Sequence, residues 1–182
     1  MLVYRAGALA ALGHNHIIAC RCLTGTVYLP RQPLRASFDL HVAVEQFTVD
    51  DPGLRADEHS AEFPPDIPQS ARQGTRHNML GAALLNAARY PEIILRAGGL
   101  RAASDGRPED LVADVLVYIH GQVRSLSVPL RYHLQADEVE VTSEFPLRQT
   151  DLGLTPFSAL GGALSVRDGM RVRLELVAKR RG

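Results

Sequence analysis

"LVADVLVYIHGQVRSLSVPLRYHL", residues 111–134, consists of two runs of alternating residues joined at a His-Gly pair. Leu111, Ala113, Val115, Val117 and Ile119 share one side of the first run, while Asp114 and Tyr118 lie on its more mixed side. In the second run Leu126, Val128, Leu130, Tyr132 and Leu134 alternate with Ser127, Pro129, Arg131 and His133. Side chains of an extended chain alternate between two faces, so each run reads as a strand with one apolar face. "HGQ" at 120–122 supplies the turn, which makes the two runs antiparallel neighbours. Pro129 has no N–H to give a ladder and marks a local edge or bulge.

The same reading extends in both directions. After the turn "ADE" (136–138), Val139, Val141, Phe145 and Leu147 alternate with Glu140, Thr142 and Glu144. Near the end Val172, Leu174 and Leu176 alternate with Arg171, Arg173 and Glu175. Upstream, "ASFDLHVAVE" (36–45) places Phe38, Leu40, Val42 and Val44 on one face. Further extended pieces fall at 2–4, 16–29 and 92–101. The total is about eight strands joined mainly by short turns, an all-β antiparallel barrel or sandwich, and closure into a barrel would remove the exposed edges. One segment differs. In "SARQGTRHNMLGAALLNAARYP" (70–91), Met79, Leu80, Ala83, Leu84 and Ala87 share a helical face. Ser70 is the expected N-cap and Pro91 the stop, giving one helix over about 70–89 packed beside or over the barrel.

Composition narrows the function classes. The 182 residues fit a single domain, 1–182. Lys plus Arg and Asp plus Glu are both 20, which leaves no electrostatic footprint for nucleic acid. The basic tail Lys179, Arg180, Arg181 reads as a solvated terminus. No apolar run reaches the length of a membrane span, so no stable membrane insertion is expected. The apolar N-terminal block is interrupted by Arg5 and no basic segment precedes it. The expectation is therefore a cytoplasmic protein, or a periplasmic one should the true start lie upstream. Cys20 and Cys22, the only cysteines, read as free thiols, because one extended strand is poor geometry for a bridge between them.

Six segments follow one another along the chain: "LGHNH", "VEQFTVDD", "RHNMLGAALLNAARYPEI", "YIHGQVRSLSVPL", "FPLRQTDLGLTPFSALGGAL" and "VRDGMRVRLELVA". Together they resemble the YceI-like family over nearly the whole length. That resemblance implies a closed, eight-stranded, lipocalin-like barrel enclosing a polyisoprenoid or other long-chain lipid, without catalysis. It also implies that "HG" followed by Arg124 is a tight turn between adjacent strands, and that His14 braces the loop entering the second strand or caps the pocket mouth. The sequence departs from the family pattern in its paired cysteines, in the leader that many relatives carry, and in having no Trp.

Three functions fit these residues to different degrees. The first is binding of a long-chain apolar ligand (polyisoprenoid, fatty acid or fatty amide) in a barrel tunnel. The lining would be Phe38, Leu40, Val42, Leu95, Val117, Ile119, Leu126, Val128, Val141, Phe145 and Leu174, with His14, His120 and Arg124 at the mouth; the alternative is that the same residues pack a dry core. The second is a metal or redox site. His14, His16, Cys20 and Cys22 are all ligand types and would share a face of one extended strand. Same-face neighbours lie roughly 6.5–7 Å apart, however, so four of them do not reach one ion. The third is an enzyme using His14 or His120 with Asp151 or Asp168, although turn aspartates more often cap local backbone. No cofactor is implied. An uncovered strand near Pro129 or the N-terminus would allow a homodimer.

Overall fold

The His120–Gly121 pair makes a two-residue hairpin turn. Both residues have positive φ, 49° and 71°, and Ile119 faces Gln122 across the ladder, as a twist-compatible two-residue hairpin requires. Only glycine fits the second position, because a Cβ there would lie 2.6 Å from the Tyr90 hydroxyl.

The computed structural model describes residues 1–104 and 107–180. Its strands are β1 (Leu2–Val3), β2 (Arg5–Ala6), β3 (His16–Ala19), β4 (Leu23–Tyr28), β5 (Ser37–Ala43), β6 (Thr48–Val49) and β7 (Glu92–Ala97). They continue as β8 (Leu100–Ala102), β9 (Asp110–Ile119), β10 (Gln122–Gln135), β11 (Glu138–Arg148), β12 (Ser158–Ala159), β13 (Leu164–Val166) and β14 (Gly169–Lys179). The helices are α1 (Pro52–Asp57) and α2 (Gln69–Leu80).

The main sheet is antiparallel in the order β4-β5-β7-β9-β10-β11-β14-β1-β3-β6, with β8 pairing β9 off this path. β4 begins the order and β3 lies near its other end, yet only residues 20–22 separate them in the chain. The two ends of the sheet must therefore meet, and the sheet curls into a barrel joined through this covalent corner. Counting β3 with β4, and β5 with β6, as the halves of two bent strands, the wall has eight staves, matching the sequence reading. A second small sheet, β12-β13-β2, lies apart from it.

One end of the barrel is covered. The Val44–Gln46 turn, the end of α2, the chain after it and the 149–154 turn converge there. Val44, Met79, Leu85, Ala87, Leu152 and Leu154 pack with Val115, Val117 and Ile119 in one buried cluster. Outside the barrel, α1 and the following loop cover β1 and β3, where Leu2, Ile17 and Phe63 form a smaller cluster.

Four expectations are corrected. The helix stops at Leu80 rather than continuing to 89. Gly81 takes an extended conformation and its amide caps the His77 carbonyl, and residues 81–90 then form tight turns that still deliver Leu85 and Ala87 to the core. Its N-cap is Pro68, not Ser70. The extended piece at 16–29 breaks at 20–22, so Cys20 and Cys22 do not lie on one straight strand. Their Cα atoms are 5.3 Å apart and their sulfurs are joined in a disulfide; the bend brings together what a strand would hold apart. Of the basic tail, Lys179 and Arg180 pair with Glu138 and Asp137, and Arg181 lies outside the described residues.

Candidate functional site

The barrel interior is asymmetric. On β9 the inward residues Leu111, Ala113, Val115, Val117 and Ile119 are 0–4% exposed. On β10 and β14, and on β11 apart from the buried Val139, the inward apolar residues are only partly buried. The structure sorts the sequence-derived lining accordingly. Leu40, Val117 and Ile119 are buried. Phe38, Val42, Leu95, Leu126 and Val128 are partly buried against the main cluster. Val141, Phe145 and Leu174 project inward from β11 and β14, partly buried and outside that cluster. All eleven face the interior, and three of them, Val141, Phe145 and Leu174, lie outside the main cluster.

Beside Leu174 lies a groove of about 770 Å³, within the usual range of ligand pockets. Its lining combines inward Leu111, Leu130, Ser143 and Leu174 with outward Arg131, Glu144 and Arg173.

The covered end holds a polar cluster that sequence reasoning missed. Asp50 is 1% exposed and Arg55 2%. Asp50 Oδ2 lies 2.6 Å from His16 Nδ1, and its Oδ1 accepts from the Ile17 amide (2.8 Å) and from Arg55 (2.5 Å). Burial pushes this carboxyl upward, but the His16, Ile17 and Arg55 contacts outweigh it and hold it below its ordinary value. An ionised Asp50 accepts the Nδ1 proton, so in the neutral ring His16 Nε2 takes the Thr75 hydroxyl at 3.0 Å. Arg55 also donates to the Asn15 and Pro64 carbonyls, and its guanidinium carbon lies 5.8 Å from the Phe63 ring centre. The cluster ties β3, α1, α2 and the loop between the helices. Its hydroxyl–imidazole–carboxylate order matches that of a nucleophile, base and orienter. Thr75, however, lies well inside α2, beyond the first turn whose amides remain free to face a ligand. The geometry makes a brace.

The signal for Asp50 was present in "VDDPG". Asp51 caps α1, accepting from Gly53 and Leu54 at the front of a Pro-started helix. The preceding aspartate, with φ of 53°, is thereby turned back into the protein.

The other candidate residues separate. His14 is partly buried 6.1 Å from the His16 ring, and its ring makes no hydrogen bond among the described residues. Burial, followed by the neighbouring His16 and Arg5 charges, lowers its pKa. The loop bracing expected of His14 is done by Arg5, which donates to the Gly13 carbonyl, and by Asn15, which accepts from the Arg5 amide and donates to the Glu62 carbonyl. The four ligand-type residues do not converge, since both His16 nitrogens are engaged and the cysteines pair with each other. His120 packs edge-on against Tyr90 at the hairpin turn. Arg124 contacts the Gln122 amide oxygen beside Gly153. Asp151 pairs with Arg148. Asp168 accepts from the Thr150 amide and hydroxyl, which hold it below its ordinary pKa. Both aspartates serve their own turns.

No protein-family model and no curated protein sequence matches the chain. Solved structures do. BcnA of Burkholderia cenocepacia superposes at a TM-score of 0.65 and 12% identity, over 98% of this chain and 96% of that one. The Campylobacter jejuni YceI protein superposes at 0.63 and 8% identity, over 91% and 85%. The chain has the YceI fold. A polyisoprenoid binding domain from Saccharophagus degradans, implicated in plant cell wall breakdown, shares this YceI-like architecture at 0.56 and 12% identity, over 92% and 86%. These likenesses agree with the resemblance carried by the six sequence motifs.

Proposed function

We propose that this chain is a non-catalytic binding protein for a long-chain apolar ligand, of the polyisoprenoid, fatty acid or fatty amide kind. The ligand lies against the inward faces of β10, β11 and β14. The observation that carries this reading is the asymmetry of the interior. An apolar face on β11 and β14 left partly exposed and outside the main buried cluster is what a barrel needs in order to accept a chain without first emptying its core. The polyisoprenoid binding of the Saccharophagus degradans domain supports the same reading for a shared fold.

Magnitudes favour a long ligand. Burial contributes roughly 0.8 kcal/mol per methylene, and association costs about 4–15 kcal/mol. A micromolar complex therefore needs on the order of 15–30 buried carbons when no strong polar contact helps.

Native mass spectrometry of freshly purified protein, followed by organic extraction, tests the proposal. A co-purifying long-chain lipid is expected. Protein that carries no lipid, and that fails to take up an uncharged lipophilic dye such as Nile red, would overturn it.

A further inference from the structure

We propose that the loop over residues 28–35 is a docking surface for an anionic lipid bilayer, which it meets at the barrel end opposite the covered one. This peripheral contact does not depend on whether a ligand occupies the barrel.

The ladders place the loop. Leu23 pairs with Val42 and Tyr28 with Ser37, so β4 runs away from the end that Val44 helps to cover and delivers the loop to the far end. Its backbone is built rather than slack. Pro30 and Pro33 fix φ, the Arg35 and Ala36 amides donate to the Gln32 and Pro33 carbonyls at 2.9 Å each, and Ala36 is buried. The Pro33–Arg35 turn lies against β8.

This fixed backbone turns its large apolar side chains outward. Tyr28 is 61% exposed, Leu34 48% and Leu29 41%. Two exposed arginines, Arg31 and Arg35, are interleaved with them. Residues 28–38 include no carboxylate, and the next one in the chain, Asp39, is paired with Arg96 at 2.9 Å. Arg31 and Arg35 form no ion pair among the described residues, whereas Arg96, Arg101 and Arg131 all do.

These residue types have complementary places at a membrane surface. Leucine side chains enter the acyl boundary and a tyrosine ring sits at the headgroup level. Arginines meet anionic headgroups, their stems lying along apolar surface. Size decides against a protein partner. A stable protein interface takes roughly 20–30 residues per side, far more than this loop offers, whereas a fluid bilayer needs no matching shape. A second exposed apolar tip, formed by Leu12 and Leu160 around β13, has no charged residue within 6–13 or 157–164 and supplies no preference for anionic lipid.

The experiment mixes the full chain with vesicles of phosphatidylcholine alone, or of phosphatidylcholine and phosphatidylglycerol in equal parts, and reads the bound fraction by sedimentation. The partition coefficient is expected to be at least about tenfold higher on the mixed vesicles and to fall with added salt. No binding to the mixed vesicles, or equal binding to both, would overturn the proposal. Arg31→Gln with Arg35→Gln is expected to abolish the preference for phosphatidylglycerol. Leu29→Ser with Leu34→Ser is expected to lower partition onto mixed vesicles at least about tenfold with the charge unchanged. All four positions are exposed, so both variants should keep the urea midpoint of the unaltered chain. Leu12→Ser with Leu160→Ser should bind as the unaltered chain does. Loss of binding in this variant and not in the others would move the contact to the second tip and overturn the loop assignment. The chain has no Trp, so Tyr28→Trp places a single reporter in the loop, and its emission should shift to the blue on mixed vesicles. Unshifted emission from bound protein would overturn the loop assignment as well. Should the leucine variant turn a dimeric unaltered chain into monomers in lipid-free sedimentation, the occupant of the loop is a second copy of the chain and not a bilayer.

Discussion

At the residue scale the most constrained position is Asp50. It carries a charge in a nearly solvent-free site and is held by one imidazole, one amide and one guanidinium. Removing one member of a buried pair leaves the other uncompensated, so Asp50→Asn is expected to lower stability by about 3–5 kcal/mol. Urea unfolding at neutral pH measures this, and a loss below about 1 kcal/mol would mean that the brace is dispensable. The pH dependence follows from the sign of the shift. The folded Asp50 carboxyl titrates below its unfolded value of about 3.9, so its contribution is complete above that value and is lost as pH falls through the lower, folded one. Urea midpoints should therefore fall from pH 5 to pH 2.5 more steeply in the unaltered chain than in Asp50→Asn; parallel slopes would assign acid sensitivity to other carboxylates. Gly121 is the second such position. With φ at 71° and Tyr90 against the missing side chain, Gly121→Ala is expected to cost at least about 1–2 kcal/mol, read as a lower urea midpoint. These two residues differ in legibility. The His-Gly turn was plain from its place between alternating runs, whereas the role of Asp50 depends on His16 and Arg55, which only the fold brings to it.

At the element scale the decisive features are terminations. α2 ends at Gly81 because the chain there turns extended, although the apolar spacing continues through Leu84 and Ala87. The periodicity reported correctly that these side chains reach the core, but not that tight turns rather than a helix deliver them. Pro129 is the converse case. Its missing N–H was legible as a local edge, and the structure adds which neighbour is lost, since the β10–β11 pairing stops at Arg131↔Thr142. Pro129→Val restores the donor and is expected to extend the β10–β11 ladder, slowing exchange of amides in residues 143–147 by about tenfold or more. Unchanged exchange would mean that something other than the proline holds the strands apart. The corner at Cys20–Cys22 belongs at this scale too. The sequence shows an unbroken extended stretch from 16 to 29, and the bend appears only because its halves pair with opposite ends of one sheet.

At the scale of the whole molecule, packing divides the inward residues into a main buried cluster and a set outside it, and substitutions should report the difference. Val117 is 4% exposed within the main cluster, so Val117→Phe overpacks it at a cost of about 1–3 kcal/mol. Leu174 projects inward from β14 outside that cluster, where Leu174→Phe should cost less than about 1 kcal/mol and yet weaken binding of a long-chain ligand. Paired urea unfolding and Nile red titrations would check both, and equal destabilisation would mean that the interior is evenly packed.

The alternation in residues 111–134 and its echoes by themselves determined the antiparallel strands, the side of each that turns inward and the stave count, because these depend on a two-residue period and on turn residues close in sequence. Tertiary structure alone decided which inward residues are sealed and which remain accessible, where the β10–β11 ladder stops, and that His16 rather than His14 carries the buried contacts. Those outcomes depend on groups far apart in the chain: residues 79–87 and 149–154 cover one end, and Asp50 meets a histidine 34 positions away. A pattern read along one strand holds no information about what stands opposite it.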